Sequence, residues 1–277
     1  MLGLGTKLNL VGGSSRIAAD TGYSSEKHLA FDGVNEYGEV AAADSFFNAV
    51  GTTGGSLSVW VRADDIVPGT DNQTNYVFGS FAGSFPFFKY FTIAFQRFSG
   101  ADHIITFRRQ QHFTDSSQNK IWHDLRSTSA VSLSDDTWHH VALVVKPFQT
   151  TWSTSVFLDG SPVNMSEVNA TDAANTDSYY DSSMAFQVAK YSTTHEQFDI
   201  NEIGVWSSDL SNSEVAEIYN QGVNGFDLSS DKGNYASSSD LYAWYKMGDE
   251  TSGSTEPDSS GNSRDMTLYN TPTIETT

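Results

Sequence analysis

The side chains best suited to chemistry fall in Glu196-Gln-Phe-Asp199-Ile-Asn-Glu202, three carboxylates spaced three residues apart. Retaining hydrolysis of a glycosidic bond needs two carboxylates about 5–5.5 Å apart on one surface. On a strand, residues an even number apart share a face. The spacing therefore sets Asp199 opposite Glu196 and Glu202, which predicts a structural or turn role. His139 and His140 are adjacent, so their rings point to opposite faces of a strand and share no metal there. One imidazole is expected near the core and the other in solvent. The sequence contains no His-Glu-x-x-His zinc pattern and no Gly-rich phosphate loop. It also has no cysteine, which excludes disulfides, thiolate zinc sites and a cysteine nucleophile.

A second candidate is aromatic. Tyr76 to Phe98 holds ten aromatics, with Lys89 and Arg97 as its charges. Phe91, Ile93 and Phe95 alternate and are expected in the core. Phe85-Pro-Phe87-Phe88-Lys-Tyr90 is too dense to bury from one strand pair. Three roles stay open for it: hairpin packing, contact between subunits, or stacking on sugar rings. Trp122 and His123 fall in a polar stretch, Gln110 to Ser134, which reads as a long loop facing a ligand.

Fifteen Lys and Arg stand against 34 Asp and Glu, a formal charge of −19. A surface so acidic repels phosphate backbones, so nucleic acid is not an expected partner. It suits a divalent cation or high-salt surroundings, where repulsion is screened. No apolar run approaches the roughly 18 residues of a membrane span. The N-terminal Met1-Leu-Gly-Leu-Gly-Thr-Lys-Leu-Asn-Leu-Val11 lacks the basic and apolar regions of a secretory signal.

The elements that must position these residues are short alternating runs bounded by turn residues. Strands are predicted at 29–31, 37–40, 56–62, 76–81, 91–96, 104–109, 138–146, 153–158, 185–190, 198–206, 241–247 and 266–269. In Ser56-Leu-Ser-Val-Trp-Val-Arg62, Leu57, Val59 and Val61 face one way and Ser58 and Trp60 the other. Asp159-Gly160 is a tight hairpin turn. Ser211 to Gly222 predicts one helix, opened by a Ser211–Glu214 capping box and lying against the sandwich edge. The pattern is all-β, two packed antiparallel sheets.

Four segments, in order, resemble the laminin-G-like jelly-roll domains of the concanavalin A-like fold. They are Leu29-Ala-Phe-Asp-Gly-Val-Asn-Glu-Tyr37; Leu57-Ser-Val-Trp-Val-Arg62; Asp136-Thr-Trp-His-His-Val-Ala-Leu-Val-Val145 with Phe157-Leu-Asp-Gly160; and Phe198-Asp-Ile-Asn-Glu-Ile-Gly-Val-Trp206 with Asp209 to Asn220. A fifth, Leu241 to Asp249 with Asp258-Ser-Ser-Gly-Asn262, resembles a segment that in this family precedes the Phe-Asp-Gly strand. The resemblance divides the chain into an arm (1–27), a jelly-roll (28–222) and an extension (223–277) whose strand 241–247 completes the sandwich, in its own subunit or a neighbour.

The resemblance also carries functional expectations. The glucanases of this fold space their carboxylates two and then three apart, a pattern unmet here, so a non-catalytic protein is expected. A structural calcium ion at one sandwich edge is implied, with Asp32, Asn201, Asp258 and Asn262 at the matching positions; Asn201 stands where the family often has Asp. The main expectation is a virion surface protein of tailed-phage type, a capsid decoration or spike, packed with other virion or capsid proteins as a homo-oligomer. An extracellular glycan-binding lectin-like module is the alternative, and a glycoside hydrolase the third.

Overall fold

The computed structural model describes residues 24–46, 49, 54–66, 69–70, 73–84, 87–98, 101–112, 120–145, 154–171 and 184–277. Its strands in chain order are β1 (Lys27–Ala30), β2 (Tyr37–Val40), β3 (Gly55–Arg62), β4 (Thr74–Ser84), β5 (Phe87–Phe98), β6 (Ala101–His112), β7 (Lys120–Ser127), β8 (His139–Val145), β9 (Thr154–Leu158), β10 (Ser161–Val163) and β11 (Met165–Thr171). There follow β12 (Phe186–Val188), β13 (Lys190–Tyr191), β14 (Thr194–His195), β15 (Asp199–Trp206), helix α1 (Asn212–Asn220), β16 (Leu241–Tyr245), β17 (Thr255–Glu256), β18 (Met266–Tyr269) and β19 (Thr273–Thr276).

Two antiparallel sheets form a sandwich. One runs β10-β9-β8-β3-β15-β1-β19, with β16 also on β15; the other runs β11-β7-β6-β5-β4-β12-β2-β18-β17. Alternation decides what lies between them. Leu57, Val59 and Val61 of β3 and Val141, Leu143 and Val145 of β8 enter the core that faces Phe78, Phe91, Ile93 and Phe95 of the second sheet. The opposite set on the first sheet is not solvated. Ala142, Val144, Phe157 and Trp206 meet Val215, Ile218, Phe226, Leu228, Tyr235 and Trp244 in a second apolar layer. The first sheet is therefore buried on both faces, which is why β8 reads as a continuous apolar run after its two histidines. The second layer is pinned by Trp206 Nε1, which donates to the Tyr235 hydroxyl at 2.9 Å, and by that hydroxyl, which donates to the Leu228 carbonyl at 2.8 Å.

The tail is woven into both sheets. β15 gives the first half of one edge to β1 (Leu29↔Ile200, Ala30↔Asp199) and the second half to β16 (Ile203↔Tyr245, Trp206↔Leu241). β19 pairs with β1, and β18 with β2. β16 pairs here with β15 of the same chain. Between Asn201 and Gly204 the ladder on β3 shifts register, with Glu202 at φ 49°.

The predicted local signals form as their chemistry requires. Asp159 (φ 49°) and Gly160 (φ 71°) make a two-residue turn with both φ positive, joining Leu158 to Ser161. Ser211 accepts from the Glu214 backbone while Glu214 takes the Ser211 N–H, the reciprocal capping box. Three expectations need correction. α1 lies on the outer face of the first sheet rather than at an edge, because the apolar side of that sheet needs covering; Tyr219 stacks on Trp60 at 5.6 Å. Trp122 and His123 belong to strand β7, paired with β6 and β11, not to a long loop. Trp138 precedes β8 and is half-buried.

Candidate functional site: a polar cleft at one end of the sandwich

Four connections and strand β19 converge beyond the ends of β1, β3 and β15. The β1–β2 turn supplies Asp32 and Glu36, the β3–β4 connection Asp64 and Asp65, and the turn before β8 Asp136. His195 ends β14, Glu196 and Gln197 come from the segment between β14 and β15, and Thr273 and Glu275 from β19. They enclose two chambers, about 260 and 500 Å³, that share Asp32, Asp64 and Gln197. The site is positioned by backbone register: Ala30 is held opposite Asp199, and Asp199 opposite Arg62, so the ends of three neighbouring strands deliver their polar residues together.

Carboxylates dominate the lining, and Arg62 is the lining cation. Its guanidinium is committed to Asp199, with Nη2 at 2.6 Å and Nε at 2.8 Å from Oδ2. It also lies 4.9 Å over the Trp138 ring. Asp32 organises its turn: Oδ1 accepts the N–H groups of Val34, Asn35 and Glu36 at 2.8 to 3.3 Å. Desolvation works to raise its pKa, but these bonds outweigh it and hold the carboxyl below its ordinary range. Asp136 goes the other way. A hydrogen bond with the Asp64 side chain, desolvation and the charges of Asp64 and Asp135 raise it.

Glu196 is the deepest acid of the cleft, 8% exposed. Burial pushes its carboxyl up to about 7, against the pull of one bond from the Tyr76 backbone, and its Oε1 has no hydrogen-bond partner. Burial and the neighbouring Lys190 lower His195, favouring the neutral ring. At the rim, Tyr37 lies 5.7 Å from the His195 ring and stacks flat on Tyr269 at 4.3 Å.

A family model described as the concanavalin A-like lectin/glucanases superfamily matches residues 32–216. The chain belongs to the concanavalin A-like lectin/glucanase superfamily. No curated protein sequence matches it. Among solved structures it is similar to a candidate carbohydrate-binding protein from Bacteroides ovatus, with TM-score 0.53 and 17% identity over 91% of this chain and 60% of that one. It is also similar to Trypanosoma rangeli sialidase in complex with sialic acid (TM-score 0.46, 17% identity, 72% of this chain and 28% of that one). A third is the Ruminococcus gnavus IT-sialidase CBM40 bound to α2,3 sialyllactose (0.43, 11%, 71% and 99%). The chain thus spans less than two thirds of the first two, and identities this low are likenesses of fold.

Within this lectin/glucanase fold the expected site residues separate. The three carboxylates of 196–202 go to three places. Glu196 and Asp199 line the two chambers, whereas Glu202, turned by the bulge, takes the Trp244 indole N–H at 2.8 Å beneath the second apolar layer. Alternation counted from Glu196 misplaces them because β15 begins only at Asp199. Both histidines are buried, not one. His139 bonds Asp159 at 2.9 Å, and His140, pushed down to about 4 by burial, bonds Ser58 at 2.7 Å.

The donor set implied for calcium does not fit one ion. Asp258 already accepts from Trp244, Ser260 and Arg264, and Asp32 from three amides. The Asn201 carbonyl oxygen accepts from Ser25 and Glu202, and the Asn262 amide donates to Leu241 and Tyr242. These are turn and inter-strand closures. Of the aromatic candidates, Phe87, Phe88 and Tyr90 lie on β5, opposite Ser84, Gly83 and Phe81, and Trp122 on β7 opposite Gln110; Phe85 lies outside the described residues. Asp64, Asp65, Asp136 and Gln197 escaped the sequence. They are solvated turn residues from separate segments, and no spacing rule joins them.

Proposed function

We propose that the chain is a non-catalytic carbohydrate-binding module whose ligand occupies the cleft at Asp32, Asp64, Glu196 and Gln197. The observation that carries this is the combination in one place of open hydrogen-bond acceptors and flat rings. Sugars present hydroxyls around the rim of the ring and an apolar C–H face, and sites for them pair fixed polar groups with aromatic surface. The chambers supply the first, and the outer face of the exposed Tyr269 supplies the second; Tyr37, beside His195, is covered by Tyr269 on one face and by the Lys190 ammonium on the other.

Hydrolysis is disfavoured by the same geometry. Asp199 is held by Arg62 and Glu202 by Trp244. A glycan array tests the reading: wild type is expected to bind a defined oligosaccharide set, and Asp64→Ala with Gln197→Ala to lose it. Release of reducing ends from those glycans would refute the non-catalytic assignment. A virion-surface role with other virion proteins, as an oligomer joined through Phe85 to Tyr90, is compatible with glycan binding. Mass spectrometry of the native assembly tests it.

A further inference from the structure

The outer face of the second sheet carries two parallel rows of side chains beside the cleft. Val40, Phe186, Val188, Met266 and Leu268 point into the core, so alternation turns Tyr37, Glu39, Gln187, Thr267 and Tyr269 to the opposite face. Register aligns these across the strand order β12-β2-β18-β17. Gln187 lies opposite Glu39, Glu39 opposite Thr267, and Thr267 opposite Thr255, a row of amide, carboxylate and hydroxyls. In the second row Tyr37 lies opposite Tyr269, and their rings stack at 4.3 Å and 4°. The Lys190 ammonium, 3.5 Å over the Tyr37 ring, closes that row from behind. Tyr269 is 36% exposed, and its outer face looks toward the sheet edge. There a tight turn precedes β17: Ser252 and Thr255 exchange N–H bonds, and the Ser254 carbonyl accepts from Leu268 at 2.8 Å. The turn brings Gly253 alongside Tyr269, and a Cβ built on Gly253 meets nothing within 4 Å. One ring face is therefore fixed from behind and uncovered in front.

We propose that the glycan extends out of the cleft past His195 and sets a second, neutral pyranose ring against the outer face of Tyr269, its hydroxyls toward Thr267 and Thr255. The inference rests on the carbohydrate-binding reading and makes its ligand a neutral oligosaccharide rather than a single sugar. His195 joins the two subsites: it lines the smaller chamber, and its ring lies 5.7 Å from that of Tyr37. The stack holds Tyr269 in place before any ligand arrives, which lowers the ordering cost of binding. A pyranose offers an apolar C–H face to the ring and hydroxyls to the threonines. The charge of Glu39 raises the Tyr269 hydroxyl, and the same charge repels a carboxylated sugar at this face. A protein partner needs an apolar patch of several side chains, whereas here a single ring face stands beside hydroxyl groups.

The test is calorimetric titration of the full chain at pH 7 with di- and hexasaccharides of β1,4-linked glucose, galactose and mannose, and with a hexamer of β1,4-linked glucuronate. Wild type is expected to bind a neutral hexamer about tenfold tighter than the matching disaccharide, the gain from one stacked ring. Tyr269→Ala is expected to remove that gain and Tyr269→Phe to keep it, with circular dichroism showing the fold retained in both. Gly253→Asn, a residue that tolerates the φ of +62° at this turn, is expected to reduce the gain by filling the open space. A hexamer bound no tighter than its disaccharide, or a gain unchanged in Tyr269→Ala, overturns the second subsite and leaves the cleft reading standing. Equal or tighter binding of the glucuronate hexamer overturns the neutral-ligand assignment. Binding of none of the oligomers overturns both the subsite and the carbohydrate reading.

Discussion

Replacing Glu196 by Gln is expected to stabilise the fold at neutral and alkaline pH, and the size follows from the site. The carboxyl is 8% exposed, and burial raises its pKa from 4.5 to about 7. A raised acid holds its proton more tightly folded than unfolded. Its contribution is therefore most favourable below pH 4.5, declines as pH rises through the window 4.5 to 7, and is lost above it. At about 1.4 kcal/mol per unit, the shift corresponds to a cost of about 3 kcal/mol at pH 8. Relaxation and water entry in the variant bring the expected gain to about 2 kcal/mol, or roughly 4–8 °C in Tm for a chain of this size. Urea unfolding of wild type and Glu196→Gln at pH 5 and pH 8 measures it. Groups shared by both chains, such as Glu256, titrate in the same window, and the difference between the two proteins cancels them. A variant no more stable than wild type at pH 8, or a difference that does not grow with pH, would refute the reasoning.

Four further outcomes are expected. A Cβ on Gly204 would meet the Trp206 ring at 2.3 Å, so Gly204→Ala should cost roughly 1–3 kcal/mol in urea unfolding, and an unchanged midpoint contradicts the packing described. Ser211→Ala removes the capping box of α1 and should cost about 1 kcal/mol by the same assay. His140, fully buried and depressed to about 4, should show no imidazole titration by NMR above pH 5. Stability it contributes should be lost as pH falls from 6.5 through 4. A chain ending at Gly222 lacks β16, β18 and β19, which pair with β15, β2 and β1. It should show no cooperative thermal transition, and a sharp one would make residues 24–222 a self-sufficient unit.

The sandwich was legible where burial imposes alternation. Leu57, Val59 and Val61 against Ser58 and Trp60, the Asp159-Gly160 turn and the Ser211 cap each state their conformation locally. Strands β7 and β11, Lys-Ile-Trp-His-Asp-Leu-Arg-Ser and Met-Ser-Glu-Val-Asn-Ala-Thr, were not legible, because polar residues fall at both parities and the period of two fades. The second apolar layer was hidden for a different reason. Its tail residues, Phe226, Leu228 and Tyr235, are scattered through a stretch that reads as polar, and only tertiary contact with Trp206 gathers them. For the cleft, the sequence offered Glu196 and Asp32 for other chemistry. It could not offer Asp64, Asp136 or Gln197, since strand register brings them together over more than 100 residues of chain.

The most direct test is a crystal structure of the chain with whichever oligosaccharide binds best. Sugar density between Asp32, Asp64, Glu196 and Gln197 is the predicted result. Density seated on the hairpin of β4 and β5, with the cleft filled by water alone, would contradict it.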